Sequence, residues 1–231
     1  MLSYEVYLFD ADDTLFDFGK AEENALSQTF KMHDLRYSNQ ILENYRQISN
    51  ELWEMLEKQE ISLSELQIKR FSRLFNECGV DDDARSFNAK YLVELGKGAF
   101  LLDGAFEICK ALCEHEKRIY IVTNGISITQ KTRLEKSDIN RFISGLFVSE
   151  DIGFQKPHPE YFENVFSYIG RTEKDRIIIV GDSLTADIKG GYNSGIDTCW
   201  FNPHKKENHT GITPTYVVHE LSEIDSLSCE V

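Results

Sequence analysis

Prolines are scarce in this chain, four in 231 residues, and its five cysteines contain no C-x-x-C pair. Cys109 and Cys113 stand four apart on one face of an expected helix, without the second pair of ligands that a zinc site needs. With Cys78, Cys199 and Cys229 they read as packing thiols of a reducing compartment. No apolar run approaches the roughly 18–20 residues needed to span a bilayer. The first nine residues carry Glu5 in place of a basic cluster, unlike a signal peptide. A cytoplasmic location without a membrane partner is the expectation. Positive charge is also short: Lys+Arg 25 against Asp+Glu 39 gives a net charge of −14. That balance disfavours nucleic-acid polymers and anionic membranes as partners. It would also repel a phosphate-bearing substrate unless a metal or a basic residue reverses the field locally. No internal repeat or low-complexity tract is found.

What is present is an ordinary globular mixture, 41% hydrophobic and 28% charged, enough to bury a core. Short β-branched and aromatic runs at 4–9, 118–123, 145–149, 176–180 and 198–201 are bounded by Gly, Asn, Asp or Pro, with a weaker sixth at 215–218. Several lack polar alternation, as parallel strands covered on both faces do. Helical stretches at 105–116, 127–137, 159–170 and 185–194 separate them. Strand alternating with helix predicts an α/β fold with a doubly wound, Rossmann-like parallel sheet.

Residues from about 20 to 95 break that rhythm. Ile41, Tyr45, Ile48, Leu52 and Met55 repeat at +4, +3, +4, +3, an amphipathic helix. Ser62-x-x-Glu65 is a capping box that opens another helix, and Gly79 closes it. The aromatics Phe18, Tyr37, Tyr45, Trp53, Phe71, Phe75, Phe87 and Tyr91 mostly recur at helical spacing and read as packing more than as platforms for a base, though one or two could stack on one. The expected division is a discontinuous core, 1–18 with 97–231, and an α-helical domain, 19–96, inserted after the first strand.

Chemistry gathers where strands end. The first strand runs into Asp10-Ala11-Asp12-Asp13-Thr14, three carboxylates in four positions. Such crowding raises proton affinity unless a cation intervenes, and ligands of open α/β sheets bind at the carboxyl ends of strands. All-oxygen donors without a His/Cys cluster point to Mg²⁺. A second strand ends in Gly181-Asp182, with Asp187 five positions on. A third runs into Thr123-Asn124-Gly125, whose hydroxyl, amide and free N–H groups suit phosphate oxygens. Lys156 lies between an irregular stretch and a proline-started helix, and is therefore positioned. His204 and His209 fall in an expected polar loop.

In this order, the four elements resemble the haloacid dehalogenase-like hydrolase superfamily, phosphatase branch, with the helical insertion as its cap. Asp13 stands where most relatives carry glycine. With Gly181-Asp182-Ser183-Leu184-Thr185-Ala186-Asp187-Ile188 and Trp200-Phe201-Asn202-Pro203, it gives a closer likeness to the bacterial pyrimidine 5′-nucleotidases, although Gln155 and His158 depart from that pattern. The resemblance implies a Mg²⁺-dependent phosphomonoesterase acting on a small phosphate ester, a nucleoside monophosphate above all. Asp10 would be the nucleophile that forms an aspartyl-phosphate, and Asp12 the general acid and base. Asp10, the Asp12 carbonyl and Asp182 would hold the metal, Thr123, Asn124 and Lys156 the phosphate, and Asp187 a supporting place. A sugar-phosphate or phosphoglycolate phosphatase is the competing enzyme, and a catalytically retired nucleotide- or protein-binding relative the competing class. Asp12 counts against a dehalogenase, and Asp13 and Thr14 against a phosphomutase.

Overall fold

The computed structural model describes residues 4–228, so Cys229 lies outside the described residues. In chain order the elements begin with β1 (Val6–Phe9) and helices α1 (Phe18–Met32), α2 (Asn39–Glu57), α3 (Leu63–Cys78), α4 (Ala84–Lys97) and α5 (Ala105–Glu114). Then come β2 (Arg118–Thr123), α6 (Ser127–Lys136), β3 (Ile143–Val148), α7 (Ser149–Ile152) and α8 (Pro159–Ile169). The chain closes with β4 (Ile177–Gly181), α9 (Lys189–Ser194), β5 (Asp197–Phe201), β6 (Tyr216–Val218) and α10 (Glu223–Ser228). By contact the described residues form two units, 4–18 with 99–228, and Gly19–Gly98.

In the first unit β1 is buried along its whole length, and its residues alternate between two cores. Tyr7 and Phe9 pack with Ile108 and Leu112 of α5 and Ile224 of α10. Val6 and Leu8 pack with Tyr161, Phe162 and Val165 of α8. Each such side chain contributes about 1.5–3 kcal/mol relative to exposure, which is why the strand has no polar face. All strand pairings are parallel, in the order β3-β2-β1-β4-β5-β6. This is the Rossmann-like order. It places β1 between β2 and β4, with Phe9 opposite both Ile121 and Val180. The topological switch point, where such sheets bind ligands, therefore lies at the ends of β1 and its two neighbours.

The expected helix at 185–194 is instead a π-helical turn, Leu184–Ile188, followed by α9. The widening shows at Ser183, whose carbonyl accepts from Ile188 N five residues on at 3.1 Å, while its hydroxyl accepts from Ala186 N and its N–H donates to the Asp187 carboxylate at 3.1 Å. Such turns are frequent at functional sites.

The second unit is helical. Its centre is aromatic, with Phe71 4.8 Å from Phe87 and 5.2 Å from Tyr91 between ring centroids. Tyr45, Phe71, Phe75, Phe87 and Tyr91 are all buried. The Arg70 guanidinium donates to Asn88 Oδ1 at 2.6 Å and lies over the Tyr91 ring at 4.9 Å. That bond and the ring face offset its burial. The capping box at Ser62 and Glu65 is formed in both directions.

Candidate active site

Where β1 ends, Asp10 N donates to Val180 O at 2.9 Å, and the chain turns sharply. Ala11 O accepts from both Leu15 N and Phe16 N, at 3.1 and 2.9 Å, and Asp13 N donates to Phe16 O at 2.8 Å. Asp13 takes the left-handed backbone region, φ 58°, which aspartate tolerates better than most residues. Here lies the physical reason that a glycine would also fit.

Lys156 is the hinge pin of the site. Its backbone is fixed by Asn124, whose Oδ1 accepts from Lys156 N and whose Nδ2 donates to Lys156 O, both at 2.9 Å. Its buried ammonium donates to Asp10 Oδ1 at 2.6 Å, Asp187 Oδ1 at 2.6 Å and Val122 O at 2.7 Å. All three N–H groups are thereby used. Burial pulls the ammonium toward neutrality, but Asp10 and Asp187 outweigh it and its pKa is raised. Thr123 is buried beside this group, and its Oγ1 accepts from Gly125 N at 3.0 Å.

Asp10, Asp182 and Asp187 each offer a carboxylate oxygen, and these three oxygens lie within 4.8 Å of one another. Asp182 stands at the end of β4, where Trp200 Nε1 fixes its carbonyl at 2.9 Å. Gly181 makes the approach possible: a Cβ there would stand 2.6 Å from Asp187 Cβ and closer still to its carboxylate. Burial raises the Asp10 pKa well above the carboxylate range, Lys156 opposing and Asp187, Asp182 and Asp12 adding to it. Asp182 is pushed up to about 7 by burial, then by Asp187 and Asp13. Were all three carboxylates ionised, they would face one ammonium with two negative charges unmatched, the charge that one divalent cation supplies. The donors are all hard oxygens, so the residues fit Mg²⁺. Beside Asp182 is a cavity of about 180 Å³ lined by Asp13, Trp200, Asn202, His204 and Lys206 among others.

Asp12 stands apart from this cluster. The sequence gives it carboxylate neighbours; in the structure its carboxylate meets the Arg133 guanidinium at Oδ1, while Gln130 Nε2 donates to Oδ2 at 2.6 Å. Both partners come from α6 and were not marked by any motif. Their only signal is the i,i+3 spacing after Thr123-Asn124-Gly125. His204 and His209 are exposed, as the loop reading expects.

A profile of haloacid dehalogenase-like hydrolases matches residues 7–201. The chain belongs to the haloacid dehalogenase-like hydrolase family. Among its relatives in that family, the pyrimidine 5′-nucleotidase PynA of Streptococcus pneumoniae is 38% identical, over 96% of this chain and 93% of that protein. The pyrimidine 5′-nucleotidase YjjG of Escherichia coli is 30% identical, over 99% of this chain and 100% of that protein. The crystal structure of the HAD-hydrolase YfnB of Bacillus subtilis, bound to magnesium, superposes with a TM-score of 0.93 at 41% identity, covering 99% of this chain and 100% of that one. Among the described residues, no helix of this family member is long and apolar enough to cross a membrane.

Proposed function

We propose that this chain is a cytoplasmic, Mg²⁺-dependent phosphomonoesterase that works through phosphorylation of Asp10, with pyrimidine nucleoside monophosphates as its substrate class. The observation that carries the reading is the Lys156 ammonium, which donates to Asp10 and Asp187 beside Asp182. A lysine so held can stabilise charge on a transferring phosphoryl group without reorganising. The two nucleotidase relatives support the substrate class.

In this mechanism one Asp10 oxygen attacks phosphorus, and splitting the hydrolysis in two replaces one hard step with two easier ones. Asp12 gives a proton to the departing ester oxygen and later takes one from the attacking water. Thr123, the Asn124 backbone and Lys156 bind the phosphoryl oxygens. Asp10, the Asp12 carbonyl and Asp182 would hold Mg²⁺, with Asp187 orienting Lys156 in support. When bound, the metal supplies Lewis-acid neutralisation that lets an anionic nucleophile meet an anionic ester. The helical unit, 19–96 by the sequence division, serves as a cap that selects substrates.

The test is a phosphate-release screen of purified protein with Mg²⁺ or with EDTA, across pyrimidine and purine nucleoside monophosphates, sugar phosphates and phosphoglycolate. Metal-dependent release with UMP or dUMP preferred is the expected result. Preference for a sugar phosphate or phosphoglycolate would overturn the substrate class, and no release from any ester would overturn the enzyme.

A further inference from the structure

We infer that Arg133 and Gln130 are positioning residues that fix the Asp12 carboxylate for proton transfer, with Gly125 keeping the space that Gln130 needs. The inference rests on the reading of Asp12 as general acid and base. Arg133 is wholly buried, and Asp12 is the anion paired with it. Among the described residues its buried Nε and Nη2 have no hydrogen-bond partner. The guanidinium lies over the rings of Phe16, at 5.6 Å, and Phe18, at 5.9 Å, so its plane is held by packing. A buried cation with idle donors is costly to a fold. A purely structural arginine would be expected to have those donors satisfied. What this one does satisfy is a single oxygen of Asp12.

The other oxygen is taken by Gln130, one turn earlier on the same face of α6. Two donors on the two oxygens fix the plane of the carboxylate as one donor cannot. A Cβ at Gly125 would stand 3.0 Å from Gln130 Cγ and closer still to its amide. The glycine of the Thr123-Asn124-Gly125 turn therefore guards the clamp. Neither Arg133 nor Gln130 exchanges a proton. Asp12 takes up a proton from solvent, and that proton passes to the ester oxygen as the phosphorus–oxygen bond breaks, the bonding pair remaining on that oxygen and Asp12 returning to the anion paired with Arg133. In the second step a water proton passes back to Asp12 while the water oxygen bonds to phosphorus.

Loosening the clamp should matter most where the leaving group needs that proton. The measurement is kcat/KM, which covers steps through leaving-group departure, for UMP as an alkyl phosphate and p-nitrophenyl phosphate as an activated aryl one. Displacing a catalytic group by about 1 Å costs on the order of 100-fold, so Gln130→Ala should lose about 10- to 100-fold on UMP. It should lose several-fold less on the aryl ester. Gly125→Ala should show the same selectivity, and should add little on UMP in a Gln130→Ala background. Arg133→Lys should shift the ratio the same way; should it fail to fold, the Gln130 and Gly125 variants still decide. Equal fractional losses on the two esters in folded variants would overturn the inference while leaving the phosphatase intact. Wild-type protein that hydrolyses neither ester with Mg²⁺ would overturn the phosphatase reading and this one together.

Discussion

Replacing Lys156 with methionine keeps the length and the apolar stem of the side chain while removing the charge. What remains is two carboxylates, Asp10 and Asp187, that have lost the ammonium 2.6 Å from each, and a Val122 carbonyl that has lost its 2.7 Å donor. Because Lys156 and Asp187 are buried, water cannot replace what is lost. Removing one partner of a buried ion pair costs about 3–5 kcal/mol. The orphaned carbonyl alone is worth about 1–3 kcal/mol, and overlaps with that figure more than it adds. For a chain of this size the loss corresponds to a fall in Tm of roughly 6–20 °C. The assay is urea and thermal unfolding in EDTA, with Lys58→Met as a control. Lys58 is exposed and only 3.7 Å from Glu54, so its loss should cost about 0–1 kcal/mol. Millimolar Mg²⁺ should shrink the Lys156→Met deficit, since carboxylates that have lost the ammonium attract the cation more strongly than those of the wild type, and a cation bound by the folded state stabilises it. A deficit in EDTA no larger than that of Lys58→Met would refute the view that this ammonium holds the carboxylates together.

Three further outcomes are expected. Asp10→Asn should abolish turnover while retaining the wild-type circular dichroism spectrum; hydrolysis of p-nitrophenyl phosphate at the wild-type rate would exclude Asp10 as nucleophile. Gly181→Ala should push the Asp187 carboxylate from its place and lower both turnover and the thermal stabilisation given by Mg²⁺; unchanged values for both would show that the close approach is unimportant. Glu65 is depressed from 4.5 to about 2 by the Ser62 backbone N–H, then the Ser62 hydroxyl and Lys69. A depressed carboxylate contributes fully above its unfolded value and loses that contribution as pH falls through the folded one. The stability gap between wild type and Glu65→Gln should therefore be constant above about pH 5.5 and close progressively between pH 4.5 and 2. A gap that does not change with pH would contradict the capping bond.

The parallel sheet was readable because β1, β2 and β4 are buried on both faces, and burial leaves uninterrupted apolar runs followed by polar ends. Asp10, Lys156 and Asp182 could be marked for the same reason: each follows a strand end or a rigid turn, where a charge is conspicuous. The π-helical turn at Leu184–Ile188 could not be, because it shows only in how Ser183 bonds to Ile188 and Asp187. Arg133 and Gln130 were hidden for a different reason. On a helix rich in Lys, Arg and Gln, a cation reads as solvent-facing. Only the parallel pairing of β1 with β2, which sets α6 beside the Asp12 turn, turns those two side chains inward. Strand ends announce themselves in a sequence, whereas a helix face acquires its meaning from what it packs against.

The most direct measurement is acid quench of the enzyme during turnover of UMP, followed by mass spectrometry of the peptide that carries Asp10. The expected result is one phosphoryl group on Asp10, absent from Asp10→Asn and lost again as substrate is exhausted. A protein that turns over UMP with its label on another residue would contradict the central claim.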